Sequence, residues 1–412
     1  MRTLYNIAIH IYNILMHFAA LFNPKAKLWV EGRKGIFAKI AQEVEPGYII
    51  WIHAASVGEF EQARPLIERI REEYPSKKIL LTFFSPSGYE LRKNYELVDY
   101  IYYLPIDTKK NAKKFIELIQ PEMVFFIKYE FWFNYLSELY KRVIPIYLVS
   151  TIFRPSQHFF KWYGGWFRKH LRMVEHFFVQ DNESATLLSS LNIKRILITG
   201  DSRFDRVKSL TENPKSFYTI SDFVEGQKVL LAGSSWEPDE KILLDFMEGE
   251  KQDFKLIIAP HEVNSSHIDS LLSRFSNFKP LLFSNYEQKE IPKESRVLII
   301  DSVGKLMHLY QYTDVAYIGG GFGVGIHNIL EAATYKKPVI FGPNYQKFKE
   351  AKDLIKVEGG FSISNATAFS DITSDLLFNP SAYAKASEEC GIYIQENIGA
   401  TDKIFEEAFE IK

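Results

Sequence analysis

Short apolar runs alternate with amphipathic stretches along most of the chain. In the first half these runs predict strands at residues 48–53, 78–84, 100–104, 123–127, 144–149, 176–179 and 195–199. Helical periodicity lies between several of them, for example at residues 60–73 and 109–119. Continuous apolar strands separated by helices are typical of βαβ units in a parallel sheet that is buried on both faces.

The same pattern restarts after a polar junction at residues 200–219. Strands are predicted at residues 228–231, 255–259, 296–301, 315–318 and 338–341, and helices at 239–248, 262–275, 327–333 and 347–357. We therefore predict two Rossmann-like, doubly wound α/β domains that face each other across a cleft, with ligands at the carboxyl ends of strands. The expected domains are residues 25–207 and 208–412, and the last helix is free to pack back on the N-terminal domain.

The first 24 residues follow a different pattern, with no charge between Arg2 and Lys25. The polar side chains of residues 4–22 fall on one narrow stripe of a helix: Asn6, His10, Asn13 and His17. Nineteen helical residues are about 28 Å long, just short of a comfortable bilayer span. We interpret residues 1–24 as a membrane-anchor helix that either spans the bilayer or lies in one leaflet. A removed signal peptide and a buried domain helix are the alternatives.

Basic residues strengthen the membrane interpretation. The cations that follow the apolar segment suit anionic headgroups: Lys25, Lys27, Arg33 and Lys34. Aromatic and basic residues also alternate over residues 158–173, which is typical either of a membrane surface or of an amphipathic core helix. Residues 1–205 carry a net charge of +7 and the remainder −8. An anionic membrane surface is therefore an expected partner of the first half, and a chance distribution of solvated charges is the alternative.

Composition and missing motifs exclude several classes. Hydrophobic residues make up 46% and charged residues 25%, which excludes a disordered chain, and the single Cys390 excludes an internal disulfide or a cysteine-based zinc cage. No G-x-G-x-x-G, Walker A, H-E-x-x-H or G-x-S-x-G sequence occurs. No two aspartates are two residues apart, so the D-x-D metal–nucleotide motif is missing as well. We expect no metal and no cofactor.

Two segments carry candidate chemistry. In residues 53–70 a strand leads through a small-residue turn into a helix, where Glu59 is either a general base or an ordinary first-turn glutamate. In residues 317–343 a strand leads into five glycines within seven residues and then a helix opening at His327, which favours a phosphate site. Glu331 lies one turn into that helix and is placed to bind ribose hydroxyls.

Other strand-end turns are expected at the same edges of the two sheets: residues 85–88, 128–130, 200–203, 232–235, 259–261 and 301–305. Each alone is more typical of a cap or turn, and together they would line a ligand cleft. Two α/β domains with a nucleotide-type loop and a carboxylate describe a two-Rossmann (GT-B) glycosyltransferase. Such enzymes need no metal when protein dipoles and basic groups stabilise the leaving phosphate.

The chain resembles the 3-deoxy-D-manno-octulosonic acid (Kdo) transferases of Gram-negative bacteria, family 30 of the glycosyltransferases. The resemblance covers nearly the whole chain and rests on a series of segments in order: HAASVGE, LTFFSPSG, YYLPID, KYEFWFN, GDSRFD, LAGSSWEPDE, IAPHEV, DSVGKL, GIHNILEAA, KPVIFGP and NIGAT. It implies transfer of Kdo from CMP-Kdo to a lipid A precursor at the cytoplasmic face of the inner membrane.

The resemblance also assigns residues. It implies that Glu59 is the base and that Glu130 and Arg203 assist the transition state, with Arg203 in place of the family's lysine. The implied CMP contacts are Pro260, His261, Val303, Gly304, Lys305, Asn328, Ile329, Leu330 and Glu331. The family often has Pro-Arg at residues 260–261 and Met-Gly-Glu at residues 303–305. Lys305 is placed to supply the positive charge lost at His261.

Alternatives to Kdo transfer come from other classes. One is a two-Rossmann glycosyltransferase that uses another donor, such as a UDP-sugar. Another is a membrane-tethered nucleotide-binding protein without turnover, against which Glu59, Glu130 and Glu331 argue. A nucleic-acid partner is not expected, because the basic residues are dispersed and no recognition motif is present.

Overall fold

The computed structural model describes residues 1–212, 214–286 and 291–409. The chain divides into two compact units. Unit 1 comprises Met1–Arg206 and Ile398–Lys412, and unit 2 comprises Val207–Asn397. Each unit contains a seven-stranded sheet in which every neighbouring pair of strands is parallel.

The sheet of unit 1 has the strand order β3-β2-β1-β4-β5-β6-β7. Its strands are β1 (Ile49–Ala54), β2 (Lys78–Phe83), β3 (Tyr100–Tyr103), β4 (Pro121–Ile127), β5 (Ile146–Thr151), β6 (His176–Val179) and β7 (Ile196–Ile198). The helices up to the unit boundary are α1 (Arg2–Ala19), α2 (Pro24–Glu31), α3 (Ile36–Glu43), α4 (Val57–Glu73), α5 (Pro86–Arg92), α6 (Lys109–Ile119), α7 (Phe133–Lys141), α8 (Gly165–Leu171), α9 (Asn182–Ser190) and α10 (Arg203–Glu212).

The sheet of unit 2 has the order β10-β11-β9-β8-β12-β13-β14. Its strands are β8 (Val229–Ser235), β9 (Lys255–Pro260), β10 (Leu281–Leu282), β11 (Val297–Ile299), β12 (Val315–Ile318), β13 (Val339–Phe341) and β14 (Gly360–Ser362). Its further helices are α11 (Tyr218–Val224), α12 (Glu237–Gly249), α13 (Ser265–Arg274), α14 (Leu306–Leu309), α15 (Leu330–Ala333), α16 (Lys349–Lys356), α17 (Ala366–Phe378) and α18 (Pro380–Asn397).

Apolar burial explains why these runs form strands. In unit 1, Trp51, Phe125 and Phe126 are fully buried on neighbouring strands, and they divide between clusters on the two faces of the sheet. The seven strands predicted for this unit are all present, with ends shifted by at most two residues. The five predicted for unit 2 are present as well, whereas the short β10 and β14 were not predicted.

The last helix, α19 (Ala400–Phe409), belongs to unit 1. The carboxylate of Asp205 accepts hydrogen bonds from the backbone N–H of Gly399 at 2.6 Å and of Thr401 at 2.7 Å. It also accepts one from the Thr401 hydroxyl at 2.6 Å. Asp205 thereby satisfies backbone groups at the start of α19 and fixes that helix in the unit.

Helix α1 differs from the predicted anchor. It ends at Ala19, so the prediction of one helix over residues 4–22 is wrong at its carboxyl end. No α1 residue is fully buried, which argues against the buried-helix alternative. Within the described ranges, no helix combines the length and apolar character that crossing a bilayer requires.

One side of α1 nevertheless contacts unit 1. The Tyr5 hydroxyl donates to Asp107 at 2.5 Å, and the Asn134 amide donates to Asn6 at 3.0 Å. The opposite side presents apolar residues to the exterior: Leu4, Ile7, Ile11, Ile14, Leu15 and Phe18. Helix α1 is therefore docked along one side and apolar along the other.

The basic residues after α1 have different environments. Lys25, Lys27 and Lys34 are exposed, as a headgroup contact requires. The guanidinium of Arg33 instead donates to three backbone carbonyls, those of Trp29, Leu104 and Phe84. The expectation that Arg33 meets headgroups is therefore wrong, because its hydrogen bonds are used inside the unit.

Residues 158–173 have features of both a core segment and a surface segment. Phe159 and Leu171 are buried, as in an amphipathic core segment. Trp162 is 92% exposed and Tyr163 is 41% exposed, which a core segment does not require. The aromatic residues of this segment therefore serve both the core and the surface.

Candidate functional site

Glu59 lies just beyond the carboxyl end of β1, in the first turn of α4. Its carboxylate accepts a hydrogen bond from the backbone N–H of Ala55 at 2.5 Å. The side chain therefore closes back on the turn that precedes the helix, as a first-turn glutamate does. This contact fixes the carboxyl group at the edge of the sheet where parallel α/β folds bind ligands.

The environment of Glu59 suits proton transfer near neutral pH. Burial raises the pKa of Glu59, and the like charge of Glu130 raises it further, to about 7. The Ala55 N–H and the ammonium group of Lys128 act in the opposite direction. A carboxyl group with such a pKa is a general-base candidate, because it exchanges a proton within the physiological range.

Glu130 follows β4 and contacts the fully buried His53 of β1. The Nε2 atom of His53 lies 3.3 Å from a carboxylate oxygen of Glu130 and 3.1 Å from the indole Nε1 of Trp132. Its Nδ1 atom lies 2.8 Å from the Thr82 hydroxyl. Because the indole N–H can only donate, Nε2 of neutral His53 accepts from Trp132.

Nε2 of His53 therefore has two neighbours: Trp132 donates to it, and a carboxylate oxygen of Glu130 lies 3.3 Å away. His53 was not predicted as a contact of Glu130, because the two residues lie 77 positions apart in the chain.

Arg203 lies at the start of α10 and is tied to Asp201. Its Nε and NH2 atoms lie 2.9 Å and 2.8 Å from one carboxylate oxygen of Asp201. The Gln62 amide donates to the other oxygen at 2.9 Å. Burial alone would raise the pKa of Asp201, but Arg203 and Gln62 hold it below its usual value. Arg203 therefore also has a structural function.

The three predicted catalytic residues all lie at the carboxyl edge of the unit 1 sheet. Glu59 and Glu130 interact through their charges. Burial raises the pKa of Tyr129, and the charges acting on it include Arg154, Asp201 and Glu59. The structure thus places Tyr129 within electrostatic range of both Glu59 and Asp201, the partner of Arg203.

In unit 2, three rings stack beside the predicted CMP contacts. Trp236 lies over His261 with 4.4 Å between ring centroids, and His261 lies 4.6 Å from His327. Burial lowers the pKa of His327, and the neighbouring His261 lowers it further, whereas Asp239 raises it. Trp236 was not predicted to join this group, because the three residues come from different strand-end loops.

The glycine-rich segment after β12 has an internal role. A Cβ atom on Gly319 would lie 2.2 Å from the carbonyl oxygen of Ser234, and one on Gly321 would lie 2.5 Å from the backbone nitrogen of Gly342. Gly320 has a φ of +88°, which also favours glycine. We expected the glycines to admit a ligand. At these positions it is the protein's own backbone that comes close.

The segment also does not open directly into a long helix at His327. Helix α15 begins at Leu330 and has four residues, which is too short for the phosphate site that was predicted at its N-terminus. The Asn328 amide donates to Glu331 at 3.0 Å, which fixes two of the predicted CMP contacts relative to each other.

The remaining predicted contacts lie on separate loops of unit 2. Lys305 donates to the Ser302 hydroxyl at 2.8 Å, and the preceding Gly304 has a φ of +83°. Pro260 ends β9, and the His261 that follows it is exposed. The roles of all nine residues in binding CMP stay predictions. The described residues contain no group of three or more His, Cys, Asp or Glu side chains arranged to hold a metal ion.

The chain is similar to known 3-deoxy-D-manno-octulosonic acid transferases. A family model described as 3-deoxy-D-manno-octulosonic-acid transferase (kdotransferase) matches residues 29–206. The 3-deoxy-D-manno-octulosonic acid transferase of Haemophilus influenzae is 26% identical over 402 residues, which cover 93% of this chain and 91% of that protein.

Solved structures share the architecture at low identity. UDP-GlcNAc 2-epimerase from Neisseria meningitidis bound to UDP-GlcNAc has a TM-score of 0.61 at 15% identity, over 88% of this chain and 99% of that one. A glycosyltransferase from Rickettsia africae has a TM-score of 0.54 at 12% identity, over 89% and 100%. At such identities the likeness shows the fold alone.

The two parallel-sheet units and the likeness to these solved structures show the GT-B fold. The family model and the curated relatives indicate a glycosyltransferase. Within that class the chain is similar to the 3-deoxy-D-manno-octulosonic acid (Kdo) transferases: residues 29–206 match their family model, and the Haemophilus influenzae transferase is similar over 93% of the chain.

Proposed function

We propose that this chain transfers Kdo from CMP-Kdo to lipid IVA, a lipid A precursor, in the biosynthesis of the lipopolysaccharide core. The acceptor is the glucosamine disaccharide of that lipid. Similarity to Kdo transferases supports the donor and the acceptor class. The proposed reaction inverts the configuration at the anomeric carbon and uses neither a metal nor a cofactor, in keeping with the missing D-x-D motif.

The observation that carries this proposal is the environment of Glu59. Its carboxyl group has a pKa of about 7 and is held by the Ala55 N–H. Ionised Glu59 takes the proton of the acceptor hydroxyl as that oxygen forms a bond to C2 of Kdo. The bond from C2 to the phosphate oxygen breaks, and CMP leaves with the bonding electrons. No nucleophilic serine or cysteine is needed.

Glu130 and Arg203 assist this step in the proposed mechanism. Glu130 keeps the pKa of Glu59 high, so that Glu59 is a stronger base than an ordinary glutamate. Arg203 supplies positive charge for the departing phosphate. In unit 2, the CMP moiety binds the three loops that carry His261, Lys305 and Glu331.

We place the reaction at the cytoplasmic face of the bacterial inner membrane. Helix α1 is 18 residues long and amphipathic, and it presents exposed apolar residues such as Leu4, Ile14 and Phe18. A helix of this kind lies in the plane of the interface, with its apolar side among the acyl chains. The proposed anchor is therefore an in-plane helix rather than a spanning one.

The pH dependence of transfer tests the assignment of Glu59. Because the base must be ionised, the turnover rate is expected to rise with pH through about 7. In Glu130→Gln the like charge is lost, the pKa of Glu59 falls, and the acidic limb of the profile moves to lower pH. A profile measured in buffers of constant ionic strength checks this. An unchanged limb in Glu130→Gln would remove Glu130 from the explanation, whatever its maximal rate.

The donor is tested by ligand competition and product release. CMP is expected to displace a fluorescent cytidine nucleotide from the purified chain, and UDP is expected not to. Release of CMP from CMP-Kdo should require lipid IVA in detergent. Displacement by UDP would favour the alternative donor class. CMP binding without acceptor-dependent release would favour a nucleotide-binding protein without turnover.

A further inference from the structure

A cavity of about 630 Å³ lies between helix α1 and the beginning of helix α6. Helix α1 contributes three polar side chains: Asn6, His10 and Asn13. Helix α6 contributes three lysines: Lys109, Lys110 and Lys113. The proposed reaction uses none of these six residues, so the cavity has no assigned role.

Two lysines of α6 lie at its N-terminus, where the helix dipole disfavours positive charge. Lys109 and Lys110 are the first two residues of the helix, and its first turn contains no acidic residue. Positive charge at a helix N-terminus opposes the helix dipole and reduces stability. Among the described residues, neither of these two exposed lysines forms an ion pair, and Lys113 lies 3.7 Å from Glu117. The cavity therefore has an excess of positive charge that an anion would compensate.

The position of the polar stripe on α1 relates this cavity to the apolar surface. One side of α1 contacts the unit through residues such as Tyr5 and Met16. The opposite side carries the exposed apolar residues, among them Ile7 and Ile14. At 3.6 residues per turn, the stripe that contains His10 lies between these two sides. The lysine cavity therefore opens beside the apolar face.

We propose that this cavity binds the phosphate of an anionic phospholipid headgroup while the apolar face of α1 lies among the acyl chains. The inference rests on the membrane location in the proposed function and names the lipid class that this location requires. Charge complementarity selects an anionic lipid over a zwitterionic one. The continuous apolar face selects a membrane lipid over a free phosphate ion.

The test compares two charge-reversal pairs on vesicles. Wild-type protein is expected to bind phosphatidylcholine vesicles containing phosphatidylglycerol more tightly than vesicles of phosphatidylcholine alone. The double variant K109E/K110E should lose this preference, with binding to the anionic vesicles reduced by about 30-fold or more. Its binding to phosphatidylcholine alone should not change. Glutamate in the first turn suits the helix dipole, so its thermal midpoint should not fall below that of the wild type.

The matched control is K251E/K403E, which changes the net charge equally at two exposed lysines that do not line the cavity. This pair should bind the anionic vesicles nearly as the wild type does. If both pairs weaken binding equally, the attraction is a diffuse effect of net charge and the cavity is not the site. If neither pair weakens it, the lysines do not contact the membrane. Both results would overturn the inference.

A transfer assay in detergent separates this inference from the proposed function. The control pair should transfer Kdo at the wild-type rate. If wild-type protein makes no product but vesicle binding depends on Lys109 and Lys110, the proposed reaction is wrong and the lipid site stands. If transfer proceeds but vesicle binding ignores the two lysines, the proposed reaction stands and the lipid site is wrong.

Discussion

Replacing Glu59 with glutamine is expected to lower the rate of Kdo transfer by about 10²–10⁴-fold, the usual range for loss of a general base. The glutamine keeps an oxygen that can accept the Ala55 N–H, so the start of α4 should be preserved. It cannot accept the proton of the acceptor hydroxyl. Initial rates with saturating CMP-Kdo and lipid IVA measure the effect.

The same substitution should stabilise the protein at alkaline pH. The pKa of Glu59 is about 7 in the folded chain, against an ordinary value of 4.5. Ionising Glu59 therefore costs stability as the pH rises through this window, and glutamine avoids that cost. We expect the free energy of unfolding of Glu59→Gln to exceed the wild-type value by roughly 3 kcal/mol at about pH 8, with no gain below about pH 4.

The matched control is Glu72→Gln, an exposed glutamate on the same helix, which should change neither the rate nor the pH dependence of stability. Near-normal turnover of a folded Glu59→Gln variant would show that Glu59 is not the base. A large loss of rate without the gain at alkaline pH would leave the raised pKa unsupported. Urea unfolding at the two pH values distinguishes these results.

Replacing Arg203 with alanine is expected to lower the free energy of unfolding by about 3 kcal/mol, because it leaves a buried carboxylate without its cation. Asp201 is 6% exposed and would keep the Gln62 amide. Transfer should slow as well, since positive charge for the departing phosphate is also lost. Urea unfolding and rates measured well below the unfolding midpoint report the two effects separately.

The control for Arg203 is Arg195→Ala, which removes an exposed cation paired with Glu175 at 2.6 Å. Exposed pairs contribute little, so its effect should stay below about 1 kcal/mol. Arg203→Lys should recover part of the rate, because it restores the positive charge. Lysine is the residue at this position in the Kdo transferases that the chain resembles. If Arg203→Ala is as stable as the wild type, the ion pair has no structural function. If it is destabilised but turns over normally, Arg203 does not assist the transition state.

The sheets could be predicted from sequence because their strands are buried on both faces and read as continuous apolar runs. Helix α6 was predicted with its observed bounds, since Thr108 precedes a clear amphipathic pattern and caps it. Strands β10 and β14 were missed, because a pairing of two or three residues at a sheet edge leaves almost no pattern.

The sequence contains a signal for the boundary between α1 and α2 that our prediction of one helix did not use. Asn23 accepts hydrogen bonds from the N–H groups of Lys25 and Ala26, and Pro24 is the first residue of α2. An asparagine followed by a proline is a helix start signal. It marks a new helix after Ala19, where apolar composition alone suggested continuation to Phe22.

Site residues that belong to a local sequence motif could be predicted. Site residues that are brought together only by tertiary contacts could not. Glu59 follows from its place after a strand and a small-residue turn. The contact of His53 with Glu130 depends on the pairing of β1 with β4, which no local pattern encodes. The glycines after β12 were recognised as a place of close approach, but sequence cannot say whether a ligand or the backbone of Ser234 comes close.

The most direct test of Kdo transfer by this chain is the mass of the acceptor after reaction. Purified protein would be given lipid IVA in detergent with CMP-Kdo generated in situ, and the lipid would be analysed by mass spectrometry. With wild-type protein and with Glu72→Gln, the lipid is expected to gain the mass of one or more whole Kdo units, and with Glu59→Gln little or none over the same time. An unmodified lipid with wild-type protein that still binds CMP would contradict the proposed reaction.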